Sequence, residues 1–117
     1  MTAPNIVAVT TITGKTAVQA IGTSASAIVS NSSGSNKVIK INALYLANVN
    51  AGATVDVTVD LYRSATAYRL AYTITIPLKA TLDYFSKPIY LEEGDSLRLT
   101  ASATTSAEAI CSYEEIS

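Results

Sequence analysis

Over much of this chain apolar and polar residues alternate one for one, the period of a strand with one buried and one wet face. The cleanest run is Thr54–Tyr62 (TVDVTVDLY): Val55, Val57, Val59 and Leu61 share one face, and Asp56, Thr58 and Asp60 the other. Ala67–Ile76 follows suit, with Tyr68, Leu70, Tyr72, Ile74 and Ile76 expected inside and Arg69, Ala71, Thr73 and Thr75 outside. Pro77 ends that run because it cannot donate to a ladder. In Lys37–Ala47 the apolar set changes face midway, from Ile39, Ile41, Ala43 and Tyr45 to Leu44 and Leu46. Such a switch implies a bulge, or a strand end covered on both sides.

Shorter strands are expected at Thr81–Phe85, at Pro88–Leu91, and through Leu97, Leu99 and Ala101, which face inward against Arg98 and Thr100. The closing strand, Ala107–Ile116, has Ala109, Cys111 and Tyr113 inside. At the start, residues 5–13 and 16–21 read as two strands of a hairpin turning at Gly14-Lys15, a pair suited to a type II′ turn. Ser24–Ser30 is a weaker third strand, with Ala25, Ala27 and Val29 on one face. The run Asn31–Asn36 reads as a polar loop without an apolar anchor, and Glu92-Glu93-Gly94-Asp95 as a tight charged turn. Eight to ten short strands at regular spacing and no helix give an all-β chain. The expected architecture is an antiparallel β-sandwich, jelly-roll-like, with an immunoglobulin-like sandwich as second choice.

Composition agrees: Ile, Val, Thr and Tyr, types that suit a pleated half-buried surface, supply 42 of the 117 residues. That length suits one β-sandwich domain, 1–117. Residues 1–30 carry a single charge, Lys15, yet hold Ile6, Val7, Val9, Ile12, Val18, Ile21, Ile28 and Val29. More apolar surface than one core needs implies that these N-terminal strands contribute to subunit or particle contacts.

The chemistry on offer is sparse. There is no His, and the formal charge is −1 with scattered basic residues, so no nucleic-acid footprint is expected. Neither a signal-like leader nor a membrane-length apolar run is evident. Asp56 and Asp60 share a face, but at roughly 13 Å apart they cannot share a proton or an ion, and read as surface carboxylates. Glu92, Glu93 and Asp95 lack the spacing of a calcium loop. Glu114 and Glu115 suit solvated guards of an edge. The one Cys, Cys111, reads as a small buried hydrophobe and fits a reducing compartment. Tyr68 and Tyr72 are expected to pack rather than to form a stacking platform. No catalytic, cofactor-binding or metal-binding residue is therefore assigned, and no cofactor is expected.

One ordered series goes further: ALYLANVN, TVDVTVDLY, AYRLAYTITIP, TLDYFSKPIYLEEGDSLRLTAS and a closing SYEEIS. Over about residues 37–117 it resembles the small virion structural proteins of tailed bacteriophages, especially those of marine cyanobacterial phages. The resemblance implies a non-enzymatic β-sandwich, made in the host cytoplasm and built into a virion as capsid decoration, neck or tail component. Its partners would be copies of itself, as a homo-oligomer, and other virion proteins; no nucleic acid and no membrane are implied. The alternative is a carbohydrate- or receptor-binding module of a phage tail or fibre that takes a glycan on exposed Tyr and carboxylates.

Overall fold

The computed structural model describes residues 9–50 and 52–117, and among these every regular element is a strand. The strands are β1 (Ile12–Ile21), β2 (Ser26–Ser30), β3 (Val38–Asn48), β4 (Val55–Arg63), β5 (Thr66–Ile76), β6 (Thr81–Asp83), β7 (Ile89–Leu91), β8 (Ser96–Ala101) and β9 (Ala107–Ile116). They form two antiparallel sheets. The first has the order β1-β9-β3-β6, with β7 also on β3; the second is β2-β8-β4-β5. Because β6 and β7 lie along the same edge of β3, at Tyr45–Ala47 and Ile39–Ile41, they act as one interrupted strand. The pairs β4–β5, β3–β6/β7, β2–β8 and β1–β9 are then nested, like a long hairpin rolled up so that alternate rungs fall in opposite sheets. That is the jelly-roll arrangement expected from the strand count.

The core lies between the sheets. The first contributes Ile39, Ile41, Leu44, Leu46, Leu91 and Cys111, and the second Val55, Val57, Val59, Leu97 and Leu99, all buried. The change of face in β3 is a bulge: the register against β9 slips between Ile41 and Ala43, so inward residues are odd-numbered before it and even-numbered after it. One extra residue thus keeps an eleven-residue strand buried along its length.

Three local expectations are corrected. Gly14-Lys15 is not a turn: β1 runs straight through it, pairing β9 without a break from Ile12–Ile116 to Ile21–Ala107. A type II′ turn needs positive φ at its first central residue, and Gly14 is not among the glycines that have it. Of the strand expected at 5–13, residues 5–8 lie outside the described residues, and Ile12 and Thr13 belong to β1. Second, Tyr68 and Tyr72 are exposed, whereas Ala71 is buried. Two register shifts in the β4–β5 ladder set Ala71 opposite Val59 and Ile74 opposite Val57, turning Tyr72 outward. Thr73 sits in this bulge at φ 51°, its N–H donating to the Thr58 hydroxyl oxygen at 3.1 Å. Tyr68 lies opposite Leu61 near the start of β5 and is 57% exposed.

Third, Asn31 is an anchor. This buried side chain donates to the Lys37 carbonyl at 2.8 Å and the Leu91 carbonyl at 3.0 Å, and accepts from the Ser35 hydroxyl. Its backbone closes on the turn after β7: Gly94 N–H donates to the Asn31 carbonyl and Asn31 N–H to the Asp95 carbonyl. Gly94, at φ 90°, takes a conformation that a side chain would strain. At the far end of β3, buried Asn48 has a matching role, donating to the Ala53 and Ile76 carbonyls at 3.0 Å each. The Tyr84 hydroxyl also donates to the Leu70 carbonyl, tying the segment after β6 to the second sheet.

Candidate interaction surfaces

The acidic turn after β7 is a clasp. Asp95 is buried, and Arg63 at the end of β4 grips it with Nε to Oδ1 at 2.7 Å and Nη2 to Oδ2 at 2.6 Å. Oδ2 also accepts the Glu92 N–H at 2.8 Å, and Glu92 meets Arg63 from outside at 3.0 Å. Burial pushes the Asp95 pKa up, but the Arg63 hydrogen bonds, the Glu92 amide and the Arg63 charge outweigh it, leaving the carboxyl below its ordinary 3.8. Both Asp95 oxygens therefore face donors within the protein. Glu93 accepts the Asn36 N–H at 2.7 Å, so the turn also holds the loop before β3.

Glu115 is likewise engaged rather than solvated. Lys15 from β1 and Lys37 from the lead into β3 both reach its Oε1 at 3.2 Å. Burial works against ionisation, yet the two lysines hold Glu115 below its ordinary 4.5. Cys111 is fully buried at the centre of β9, and burial pushes its thiol up to about 12, which leaves it an inert thiol at neutral pH. Among the described residues, no group of three or more His, Cys, Asp or Glu side chains could hold a metal ion, and no helix is long and apolar enough to cross a membrane.

Two sheet faces remain. On the outer face of the first sheet the ladders align cross-strand rows: Val18, Ile110, Tyr45 and Asp83 in one, and Ala20, Glu108, Ala47 and Thr81 in the next. Val18 is 74% exposed, Ile110 47% and Tyr45 40%. The small residues beside this ridge leave a shallow concavity of about 540 Å³. It borders β1, which among the described residues is an edge strand paired with β9 alone. Of the apolar residues expected in an N-terminal contact set, Ile21 and Val29 instead enter the core, Ile28 packs partly against it, and Ile12 and Val18 are exposed. Ile6 and Val7 lie outside the described residues.

The outer face of the second sheet is polar. Asp56 accepts the Thr75 hydroxyl at 2.7 Å. Asp60 is not the surface carboxylate expected. It is 1% exposed, and Arg69 Nη1 lies 2.8 Å from both of its oxygens. The β4–β5 connection is a two-residue turn, Ser64-Ala65, whose register sets Asp60 directly opposite Arg69. The pair was thus implicit in the sequence once the turn was placed. Arg69 lies over the Tyr72 ring at 5.1 Å, and Arg98 over the Tyr62 ring at 4.1 Å.

No family model matches this chain, and no curated protein matches it by sequence. Its fold has a counterpart. A chain of Bacillus endospore appendages, described as a novel family of disulfide-linked pili, is similar over 100% of this chain and 96% of its own, with a TM-score of 0.55 and 12% identity. At that identity the likeness is one of fold.

Proposed function

We propose that this chain is a non-enzymatic structural subunit of a bacteriophage virion, a capsid decoration, neck or tail component, that works by packing against copies of itself and other particle proteins. The observation that carries this reading is the Val18–Ile110–Tyr45 ridge. Three large apolar side chains stand in line, flanked by the small residues Thr16, Ser112 and Ala43 on one side and Ala20, Ala47 and Thr81 on the other, a surface that water covers poorly and a second flat face covers well. The resemblance over residues 37–117 supports the particle setting. The fold likeness to a pilus chain supports the narrower idea of a sandwich that assembles. That neighbour is described as disulfide-linked, whereas Cys111 here is buried in its own core, so the contacts proposed are non-covalent.

β1 and β2 each form an edge of a sheet, so the contact surface has to be probed by substitution rather than by removing residues 1–30. Val18→Glu with Ile110→Glu places two carboxylates on the ridge without touching the inner face. In native mass spectrometry the unaltered protein should form a discrete oligomer and join particles, and the double variant should fall to a lower state with its melting temperature held. An unaltered chain that stays monomeric at about 100 μM, well above the Kd range of stable assemblies, and does not co-sediment with particles overturns the proposal.

A further inference from the structure

We propose that the outer face of the second sheet is a binding site for an acidic sugar, with Arg98 taking the carboxylate. A concavity of about 370 Å³ lies there, lined by Ala25, Thr58, Arg69, Tyr72, Arg98 and Thr100 among others. Its size falls in the range of small-molecule pockets.

The charges are unevenly paired. In the ladders Asp60 lies directly opposite Arg69 on β5 and opposite Arg98 on β8, so the row reads cation, anion, cation. Arg69 takes both Asp60 oxygens at 2.8 Å. Arg98 takes neither. Among the described residues half-buried Arg98 makes no ion pair and no side-chain hydrogen bond; its guanidinium carbon lies over the Tyr62 ring, 4.1 Å from the centroid. A cation held over an aromatic ring keeps its N–H donors, and Arg can offer two of them in parallel to a carboxylate.

The surroundings specify more than an anion. Thr58 and Thr100 are directly opposite in the next row. The oxygen of Thr58, which lines the concavity, already accepts the Thr73 N–H, so its own O–H remains as a donor. Thr100 supplies a second hydroxyl. Tyr72, 66% exposed at the rim with Arg69 over its ring at 5.1 Å, offers its remaining aromatic surface to the C–H face of a sugar ring. Ala25 and Ala67 also line the concavity, and their small side chains take little of its space. A net charge of one positive unit in the row suits a monoanionic carboxylate better than a phosphate dianion.

The test is a titration of the whole chain with sodium glucuronate, glucose, acetate and inorganic phosphate at fixed ionic strength, followed by amide and arginine side-chain NMR shifts. Glucuronate should give saturable millimolar binding with shifts at Arg98, Thr100 and Tyr72, and glucose and acetate should each bind more weakly. Arg98→Ala should weaken glucuronate by about tenfold or more, and Arg98→Lys, which keeps the charge and loses the fork, by an intermediate factor. Melting curves of both variants check that the fold is kept. No saturation by roughly 50 mM, far weaker than a built site gives, overturns the proposal. So does acetate or phosphate binding as tightly as glucuronate, or glucuronate binding that survives Arg98→Ala. Because the assembly ridge lies on the other sheet, either surface can fail its test without the other.

Discussion

Replacing Asn31 by Ala removes a side chain that no neighbour can replace. Its amide supplies donors to the Lys37 and Leu91 carbonyls, and its carbonyl accepts the Ser35 hydroxyl. Leu91 is fully buried, so its carbonyl has no ready access to water after the change. Each protein hydrogen bond contributes about 1 kcal/mol net, and a buried group left unpaired costs about 1–3 kcal/mol. Taking the Lys37 and Ser35 bonds at about 1 kcal/mol each and the stranded Leu91 carbonyl at the low end gives a loss of about 3 kcal/mol. For a chain of this length that corresponds to a fall in Tm of roughly 10 °C. Equilibrium urea unfolding followed by far-UV circular dichroism measures the loss directly, with an unchanged slope showing that the denatured state is comparable. A loss below about 1 kcal/mol, no more than one ordinary hydrogen bond, would refute the idea that Asn31 locks this end of the sandwich.

Acid should weaken the protein through two carboxylates. Asp95 and Glu115 are held below their ordinary 3.8 and 4.5, so their contribution is fully present above those values and is lost as pH falls through the lowered ones. Tm should be nearly level from neutral pH to about 5 and drop below about 4, and Asp95→Asn should lower Tm at pH 7 while flattening the acid slope; an unchanged slope in that variant would contradict the assignment. At the β4–β5 turn both Ser64 and Ala65 have positive φ, 52° and 60°, the conformation of a type I′ turn. Ser64→Asn with Ala65→Gly should therefore stabilise by about 1–2 kcal/mol in thermal melts, and a lower Tm would show that the turn is of another kind.

The sequence made the strands legible wherever alternation was clean. Thr54–Tyr62 and Ala107–Ile116 fell within a residue or so of β4 and β9, and the switch from Ile41 to Leu44 announced the β3 bulge. It misled where alternation ran through a bulge that left few marks. Nothing in AYRLAYTITI shows that a residue is inserted on either side of Ala71, so Tyr72 carried the pattern of a core residue while facing solvent. Gly14 looked like a turn because glycine permits one, but permission was outweighed by ten consecutive rungs with β9. The polar anchors were hidden for a different reason. Asn31 and Arg63 find their partners far along the chain, and a polar residue in a polar run gives no sign that it will be buried. The two candidate surfaces divide in the same way: Val18 was visible as surplus apolar content, whereas the lone Arg98 emerged only once Arg69 was seen to take both oxygens of Asp60.

The nested pairing of strands also orders their assembly in time. β4 and β5 are joined by two residues, so their hairpin closes at little entropic cost, while β1 and β9 must bring nearly the whole chain around before their first rung forms. A pairing scheme so dominated by distant partners belongs to the slow end of small-protein folding, in milliseconds to seconds. The hairpin that starts the roll is the one that sets Asp60 against Arg69, and the strand that completes it is β1, held among the described residues along a single flank. The end of the roll that arrives last is also the end with least to lose by leaving, so hydrogen exchange should report β1 amides opening well before those of β4.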